Sequence, residues 1–322
     1  MQRTMSASGE FIAVDPPLLE ALYTIEIAAP RSGGVLITGP TGVGKECLAR
    51  RVHERSGRSG SFVALNCGAL VEGLAESTLF GHARGAFTGA HHASPGAFVE
   101  AHRGTLFLDE IGELDLRIQA KLLRALEDGS VRALGASRPT HVDLRVVAAT
   151  NRDLRQEITE KRFRMDLYFR IATFVINVPR LSERPGDLTA LISGLIALHD
   201  RSSVVHLAPE ARKALESYSW PGNGRELKNV IERIFALAPL GVLTLRGLQR
   251  LAPEIAVQSS LPRSGTLARV EEECILAAVE ESASSRTKAA AALGIHRTTL
   301  WRKMQQMGLT PTGARRSNGR AR

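Results

Sequence analysis

The stretch Gly39-Pro-Thr-Gly-Val-Gly-Lys45 decides the fold, because it joins a short apolar run, Val35 to Ile37, to a helical pattern, Lys45 to Arg55. A glycine-rich loop in this context turns its backbone N–H groups toward a phosphate, and the helix N-terminus adds a favourable dipole. Lys45 supplies a positive charge for the β- and γ-phosphates. The alternative is a turn that only connects strand and helix. The residues predicted to bind a nucleotide are Gly39, Pro40, Thr41, Gly42, Val43, Gly44, Lys45 and Glu46.

One residue of this loop departs from the general pattern. Glu46 stands where a Ser or Thr hydroxyl usually binds Mg²⁺. A magnesium ion at this site must therefore rely more on other ligands and on water, which Mg²⁺ tolerates.

A second motif is the apolar strand Thr105-Leu-Phe-Leu, which ends in Asp109 and Glu110. We expect Asp109 to hold a hydrated Mg²⁺ and Glu110 to orient and polarise the attacking water. The alternative, two solvated carboxylates at a strand end, is disfavoured because the phosphate loop precedes the motif in the chain. Asn151, after another strand, is a candidate sensor of the γ-phosphate, and Asn66 is a candidate contact of Glu110. Asparagine at a strand end is also a common turn residue.

The apolar runs of the first half alternate with helical stretches such as Leu116 to Glu127, which predicts a parallel α/β sheet covered on both faces. After Pro179 the pattern is helical, and no further strand is expected. The expected strands are Val35 to Ile37, Phe62 to Leu65, Thr105 to Leu108, Leu144 to Ala148 and Phe174 to Val178; the later helices are Leu188 to His199, Pro209 to Ser217 and Gly224 to Leu237.

The composition limits the class of protein. The chain has 322 residues, 43% of them hydrophobic, so it can bury a sizeable core. No apolar run is long enough for a membrane helix, and the N-terminus lacks a secretion signal, so we expect a cytoplasmic protein without membrane insertion. Its three cysteines are expected to behave as small buried hydrophobes; they are Cys47, Cys67 and Cys274.

The net charge of +9 is concentrated at the C-terminus, where residues 282–322 hold nine Lys or Arg and no Asp or Glu. Thr287 to Leu293 predicts one short helix, Gly294 a turn, and His296 to Met307 a second helix. A basic helical pair of this kind is typical of DNA binding, and a helical hairpin for dimerisation is an alternative that is compatible with it. We expect Arg297 and Thr298 or Thr299 near bases and Arg302 and Lys303 at phosphates; the full predicted set is Thr287, Lys288, His296, Arg297, Thr298, Thr299, Arg302 and Lys303.

The hexapeptide Gly85-Ala-Phe-Thr-Gly-Ala90 predicts a mobile loop with an apolar tip, Phe87, which is costly to expose unless it meets a partner. The alternative is that Phe87 is the buried anchor of an ordinary turn. With this motif, its flanks and the Trp220-Pro-Gly-Asn-Gly-Arg225 segment, the chain resembles the sigma-54-dependent activators, or bacterial enhancer-binding proteins, of the AAA+ class. The resemblance covers roughly residues 14–309 and includes the Lys45-Glu46 ending.

The resemblance implies an ATPase that works with Mg²⁺ as a ring, usually a hexamer. It implies that the hexapeptide residues Gly85, Ala86, Phe87, Thr88, Gly89 and Ala90 contact sigma-54, assisted by a second loop around Gly129 to His141. Arg164 and Arg170 match arginine fingers that a neighbouring subunit supplies, although one of them can serve interface salt bridges alone. Arg225 matches a sensor of the nucleotide bound to the same subunit; the alternative is a cation on a helix surface.

The resemblance also sets the domains and the function. The expected domains are a tail (1–13), an AAA+ α/β subdomain (14–178), a helical lid (179–251), a linker (252–265), a Fis-type helix-turn-helix (266–310) and a disordered basic tail (311–322). The expected function is remodelling of closed sigma-54 RNA polymerase complexes from an upstream DNA site. The alternatives are a sigma-54-independent regulator that uses nucleotide only for assembly, and a general AAA+ remodeller, which the basic C-terminus disfavours. We expect a short type without an N-terminal regulatory domain, controlled by a trans-acting protein or a paralogous activator.

Overall fold

The structure is a computed structural model, and it describes residues 2–6, 9–71, 73–199, 205–237, 241–255, 290, 293–296, 298–300 and 302. The chain divides into two compact units, residues 1–255 and residues 256–322. Four of the predicted DNA-binding residues lie outside the described residues: Thr287, Lys288, Arg297 and Lys303.

The first unit opens with strands and helices that alternate along the chain. In order they are β1 (Gln2–Ser6), β2 (Gly9–Ala13), α1 (Pro16–Ala28), β3 (Val35–Thr38), α2 (Lys45–Arg55), β4 (Phe62–Asn66), α3 (Ala75–Phe80), α4 (Gly96–Glu100), β5 (Thr105–Asp109), α5 (Leu116–Asp128), β6 (Ser130–Val131), β7 (Thr140–His141), β8 (Arg145–Thr150), α6 (Leu154–Thr159), α7 (Met165–Ile171) and β9 (Phe174–Asn177).

The central sheet has the strand order β4-β5-β8-β3-β9, and every neighbouring pair is parallel. Alternate residues of its inner strands enter two separate cores, because successive side chains of a strand point to opposite faces. Leu106 and Leu108 pack on the side of α5 and α7, whereas Phe107 packs with residues of α1 and α2 on the other side. The predicted parallel sheet with helices on both faces is confirmed. Because all carboxyl ends of the strands share one edge, the loops that follow them lie together.

The second part of this unit is mainly helical and has its own core around the buried Trp220. Its elements are α8 (Pro185–His199), β10 (Val205–Leu207), α9 (Pro209–Ser217), α10 (Asn223–Leu237), β11 (Gly241–Leu243) and α11 (Leu245–Leu251). The expectation of no strand beyond Pro179 was wrong, because β10 and β11 pair in parallel. Each has only three residues, which is too short for the alternation that marks a strand in a sequence.

The N-terminal residues, expected as a tail, form an antiparallel hairpin in which Gln2 pairs with Ala13. Ala13 is buried against α1, so the end of the hairpin is part of the core. Within the described ranges, the helices are all too short or too polar to span a bilayer.

The cysteines differ from the expectation of three buried side chains. Cys67 is buried as expected, but Cys47 is exposed, because it lies in the first turn of α2 where that helix borders a cavity. The pKa of the Cys67 thiol is raised to about 12. Burial is the main cause, and the negative charges of Asp109 and Glu110 add to it, so the thiol stays protonated. Cys274 lies outside the described residues.

Candidate nucleotide site and adjoining loops

The phosphate loop lies between the end of β3 and the start of α2, as the sequence predicts. Gly39, Gly42 and Gly44 have φ angles of 151°, 79° and 103°, values that side chains disfavour. The Lys45 amine donates to the carbonyls of Gly39 at 2.8 Å and Pro40 at 3.1 Å, inside the loop. Burial lowers the pKa of Lys45, although Asp109 and Glu110 favour its charged form. The loop thus places one cation beside two carboxylates.

The two acidic residues follow β5 at the same edge of the sheet. Asp109 is the last residue of β5, and its Oδ1 accepts from the Glu110 N–H at 3.0 Å. Glu110 has φ 53° and ψ 44°, a left-handed conformation that costs a residue with a side chain about 1 to 3 kcal/mol. Such strain is found where a fold directs a side chain to a functional position. The left-handed conformation of Glu110 turns the chain directly after the end of β5.

Asn66 is the last residue of β4, and Asn151 directly follows β8, so both lie at the predicted strand ends. A Cβ added to Gly68 would lie 2.5 Å from Glu110 Oε2 and 3.3 Å from Asn66 Oδ1, so the Asn66 and Glu110 side chains border the same small space. Asn66 Oδ1 accepts from the Gly68 and Ala69 N–H groups, which leaves its Nδ2 to face other partners. Asn151 Nδ2 donates to the Thr41 hydroxyl in the phosphate loop at 3.2 Å.

A cavity of about 570 Å³ joins the phosphate loop to the helical part of the unit. Asp109, Glu110 and Arg225 line it together, although they are far apart in the chain. Several lining residues were not among the predicted site residues, because most of them belong to the hairpin or to the lid, outside the phosphate-loop and acidic motifs. These are Ile12, Cys47, Arg184, Leu191, Gly224, Lys228, Asn229 and Glu232.

Arg164 directly precedes helix α7 and Arg170 lies in its last turn, and neither residue lines this cavity. Arg164 forms a two-point contact with Asp166 at 3.0 and 2.7 Å, and Arg170 Nη2 donates to the Leu126 carbonyl at 2.5 Å. The hydrogen bond from Arg164 lowers the pKa of Asp166. The structure therefore does not bring either arginine to the nucleotide cavity of its own chain.

The backbone at Arg164 is held by Gln119, a residue outside the predicted site. Gln119, fully buried on α5, accepts from the Arg164 N–H at 2.9 Å and donates to the carbonyls of Leu114 at 2.7 Å and Arg162 at 3.0 Å. A buried amide with three partners fixes the segment that carries Arg164. A single glutamine on the apolar face of a predicted helix was the available signal.

The hexapeptide forms a tight loop between α3 and α4, closed by a hydrogen bond of 2.8 Å from the Gly85 N–H to the Ala90 carbonyl. Phe87 is 38% exposed, and its ring centroid lies 5.1 Å from that of His82. Ser77 Oγ lies 2.7 Å from His82 Nδ1 and fixes that ring. Phe87 is thus neither fully exposed nor a buried anchor.

The second predicted loop, residues 129–141, contacts the base of the first. The Leu134 N–H donates to the Gly81 carbonyl at 2.9 Å, and its carbonyl accepts from the Ala83 N–H at 2.8 Å. A Cβ on Gly135 would lie 3.0 Å from the Ala86 side chain. The two loops are therefore joined by backbone hydrogen bonds.

The described residues of the second unit form a turn and the start of a helix. Gly294 has φ 64°, the Ile295 N–H donates to the Ala290 carbonyl at 3.1 Å, and Leu300 is fully buried. The His296 carbonyl accepts from the N–H groups of residues 299 and 300, so a helix begins at this point. Of the predicted DNA-binding residues that are described, His296, Thr298 and Arg302 are exposed and Thr299 is half-buried.

A parallel sheet, a glycine-rich phosphate loop and a helical lid that shares its cavity define the class of AAA+ ATPases. Comparison with protein families gives the same result. Residues 11–177 match the sigma-54 interaction domain, residues 182–263 the AAA+ ATPase lid domain, and residues 266–307 the bacterial regulatory protein, Fis family. The chain belongs to the family of sigma-54-dependent transcriptional activators, and it is an ATPase.

Two curated relatives support this assignment. The chain is 41% identical over 304 residues to the transcriptional regulatory protein ZraR of Escherichia coli K12, which covers 92% of this chain and 68% of ZraR. It is 50% identical over 234 residues to the anaerobic nitric oxide reductase transcription regulator NorR of Klebsiella pneumoniae. The aligned region covers 71% of this chain and 45% of NorR.

Solved structures agree with the fold. NtrX from Brucella abortus in complex with ADP has a TM-score of 0.71 at 29% identity, covering 92% of this chain and 70% of NtrX. RuvB from Thermotoga maritima has a TM-score of 0.54 at 17% identity, covering 95% of this chain and 91% of RuvB, and it shows the fold alone.

Proposed function

We propose that this chain hydrolyses ATP in a ring, as a hexamer, and uses the cycle to remodel closed sigma-54 RNA polymerase complexes at promoters. One observation carries the proposal. The phosphate loop, Asp109, Glu110 and Arg225 line one cavity, whereas Arg164 and Arg170 lie outside it on the surface. Such a site is incomplete until a second copy supplies an arginine, which makes hydrolysis dependent on assembly.

Within the cavity, Lys45 and the loop N–H groups bind the phosphates. Lys45 is well suited to this role because it is buried beside two carboxylates, and binding a phosphate replaces its contacts to loop carbonyls. Arg225 lies over the loop, since a Cβ added to Gly42 would be 3.2 Å from the Arg225 Cβ. From there Arg225 senses the nucleotide of its own subunit.

Asp109 is the residue that would hold Mg²⁺. Among the described residues, no group of three or more His, Cys, Asp or Glu side chains forms a cage for a metal. A single carboxylate beside a phosphate loop suits Mg²⁺, which commonly keeps several waters and takes its other ligands from the substrate. When bound, Mg²⁺ neutralises the charge on the phosphate oxygens.

Glu110 orients and polarises the attacking water, and Asn66 and Asn151 support it from either side. Asn66 borders the space that holds the Glu110 carboxylate, so its Nδ2 can control where that carboxylate points. Asn151 already donates to Thr41 of the phosphate loop, so it senses the γ-phosphate from the neighbouring strand.

The remodelling surface is the loop from Gly85 to Ala90, with Phe87 and Thr88 at the sigma-54 contact. Residues 129–141 move with it, because Leu134 is hydrogen-bonded to the base of the loop on both sides. Phe87 must leave the His82 ring to become fully exposed, and an aromatic contact of this kind contributes about 0.5 to 1.5 kcal/mol.

The C-terminal unit places the ring at an upstream site on double-stranded DNA. Arg297 and Thr298 or Thr299 contact bases there, and Arg302 and Lys303 contact phosphates. We further propose that the protein acts in the cytoplasm, where a trans-acting regulatory protein or a paralogous activator controls it.

The test is binding of the purified protein to sigma-54 in the presence of ADP and a metal fluoride, which imitates the transferring phosphate. We expect a complex that requires the metal fluoride and is lost in Thr88→Ala, while the variant hydrolyses ATP at the wild-type rate. ADP alone is the matched control. If no complex forms although ATP is hydrolysed, a sigma-54-independent regulator becomes the better description.

A further inference from the structure

Three consecutive carbonyls of the phosphate loop are each hydrogen-bonded to the lid. The Thr41 carbonyl accepts from Asn223 Nδ2 at 3.0 Å, the Gly42 carbonyl from the Gly224 N–H at 3.0 Å, and the Val43 carbonyl from Arg184 Nη2 at 3.0 Å. None of these donors belongs to the phosphate-loop motif.

The geometry of the peptide bond gives these contacts a consequence for phosphate binding. In a trans peptide the C=O of one residue and the N–H of the next point in opposite directions. Holding the three carbonyls toward the lid therefore turns the N–H groups of residues 42–44 toward the interior of the loop. Successive N–H groups that converge in this way form an anion-binding concavity.

Asn223, which donates to the Thr41 carbonyl, is held in place by burial and by a second hydrogen bond. It is 2% exposed and has a φ of 54°, a conformation that Asn tolerates better than most residues. Its Oδ1 accepts from the Leu181 N–H at 2.8 Å, where the chain passes from the sheet into the lid. One side chain therefore joins the phosphate loop, the connection between the subdomains and the start of α10.

Arg184 makes the second connection from within a buried cluster. Its Nη1 lies 3.6 Å from Asp187 Oδ2, and both side chains are nearly fully buried. Asp187 Oδ1 in turn accepts from the N–H groups of Val14 at 2.6 Å and Asp15 at 3.0 Å. Asp187 thus ties Arg184 to the start of α1, so the guanidinium is held in place on the side opposite Val43.

We propose that Asn223 and Arg184 are positioning residues for nucleotide binding, which hold the phosphate loop in its anion-binding conformation and make it move with the lid. The inference rests on the nucleotide site proposed above and adds to Arg225 two residues that act on nucleotide binding through the backbone of the phosphate loop. Weak phosphate binding is the expected result when either contact to the loop is lost.

The test uses two substitutions at position 223. Asn223→Gly permits the φ of 54° but removes the side-chain hydrogen bonds to Leu181, Thr41 and Pro221. Asn223→Asp keeps the acceptor for Leu181 and loses the donor to Thr41 and Pro221. We expect each to raise the Kd of a fluorescent ADP analogue about tenfold, as for the loss of one buried hydrogen bond, and to raise KM for ATP more than it lowers kcat.

A control separates positioning from a general loss of stability. Ile234→Val lies in the lid core on the same helix and removes one buried methylene. We expect it to lower Tm by a few degrees, as for a small core deletion, without changing the Kd. Wild-type affinity in Asn223→Asp, or an equal loss of affinity in Ile234→Val, would overturn the proposal.

A second measurement does not require a ligand. In the nucleotide-free full-length protein, hydrogen exchange of the backbone amides of residues 39–45 should be faster in Asn223→Gly than in wild type and unchanged in Ile234→Val. Unchanged exchange in Asn223→Gly would refute the inference even if the protein bound no nucleotide. Arg184→Lys keeps a charge beside Asp187 but lacks the guanidinium that reaches Val43, and it should show the same faster exchange.

Discussion

The phosphate loop and the loop from Gly85 to Ala90 are both rich in glycines with positive φ, but the space around those glycines differs. A Cβ on Gly39 would lie 2.5 Å from the Val178 carbonyl oxygen, and one on Gly42 would overlap the Gly222 carbonyl. Gly85 and Gly89 have no atom within 4 Å of such a Cβ. Glycine therefore allows close packing in the first loop and freedom of movement in the second.

This difference agrees with the proposed roles of the two loops, phosphate binding for the first and sigma-54 contact for the second. A loop that binds phosphate through backbone N–H groups must keep one conformation, because each misplaced donor is lost from the site. A loop that reaches a partner only at one stage of a cycle needs a second conformation of similar free energy. The four predictions below test whether the two loops have these separate roles.

The largest effect is expected for Glu110→Gln, which leaves both loops intact. Removing the group that polarises water should lower kcat for ATP by about a hundredfold or more, while the Kd of ATP stays within about threefold of wild type. Steady-state ATPase rates and equilibrium binding check this. Hydrolysis that persists at near wild-type rate would place the general base elsewhere.

The next effect compares the two kinds of glycine directly. Gly42→Ala adds a Cβ where a backbone carbonyl already lies, so we expect nucleotide affinity to fall about a hundredfold. Gly89→Ala, at φ 104° but in open space, should bind nucleotide like wild type and lose only sigma-54 binding. If both variants lost nucleotide binding equally, the contrast between the loops would be wrong.

A smaller effect should follow from the titration of Lys45. Burial lowers its pKa below the ordinary 10.5, and the neutral amine no longer attracts phosphate, so affinity for ADP should fall as the pH rises through that pKa. We expect the affinity for ADP to fall about tenfold when the amine is fully neutral, since this is the contribution expected of one hydrogen bond to a charged group. In Lys45→Arg the charge persists, and a similar decline in that variant would assign the titration to another group.

The smallest effect is expected for His82→Ala, which removes the ring that contacts Phe87. Losing an aromatic contact of about 0.5 to 1.5 kcal/mol should make nucleotide-free binding to sigma-54 about threefold tighter, because Phe87 is more often exposed. Titration of labelled sigma-54 without nucleotide measures this. Ser77→Ala frees the same ring without removing it and should lie between wild type and His82→Ala.

Much of the fold followed from local patterns in the chain. Helices α2 and α9 have the predicted bounds, and each strand of the central sheet is within two residues of its prediction. Buried parallel strands are continuous apolar runs, which makes them easy to recognise. The three-residue strands β10 and β11 and the N-terminal hairpin were missed, because a pair of short strands depends on its partner rather than on its own sequence.

In the site, too, contacts between residues distant in the chain could not be predicted from the sequence. The positions of four site residues were predictable, because each lies at the end of an apolar strand of one parallel sheet or directly after it; they are Asn66, Asp109, Glu110 and Asn151. The hydrogen bond between the Arg164 N–H and Gln119 was not predictable. The two residues are 45 positions apart, and in the sequence Gln119 is simply one polar residue of an amphipathic helix. The contact between Phe87 and His82 also appears only in the folded chain.

By itself the sequence determined the phosphate loop and the strand that ends in Asp109, because each motif is contiguous and its chemistry follows from residue type. Only the tertiary structure decided what holds the loop in shape. Asn223 reaches Thr41 across 182 residues, and Arg184 reaches Val43 across 141. Contacts of that separation arise from the packing of the lid on the sheet, and no local pattern along the chain encodes them.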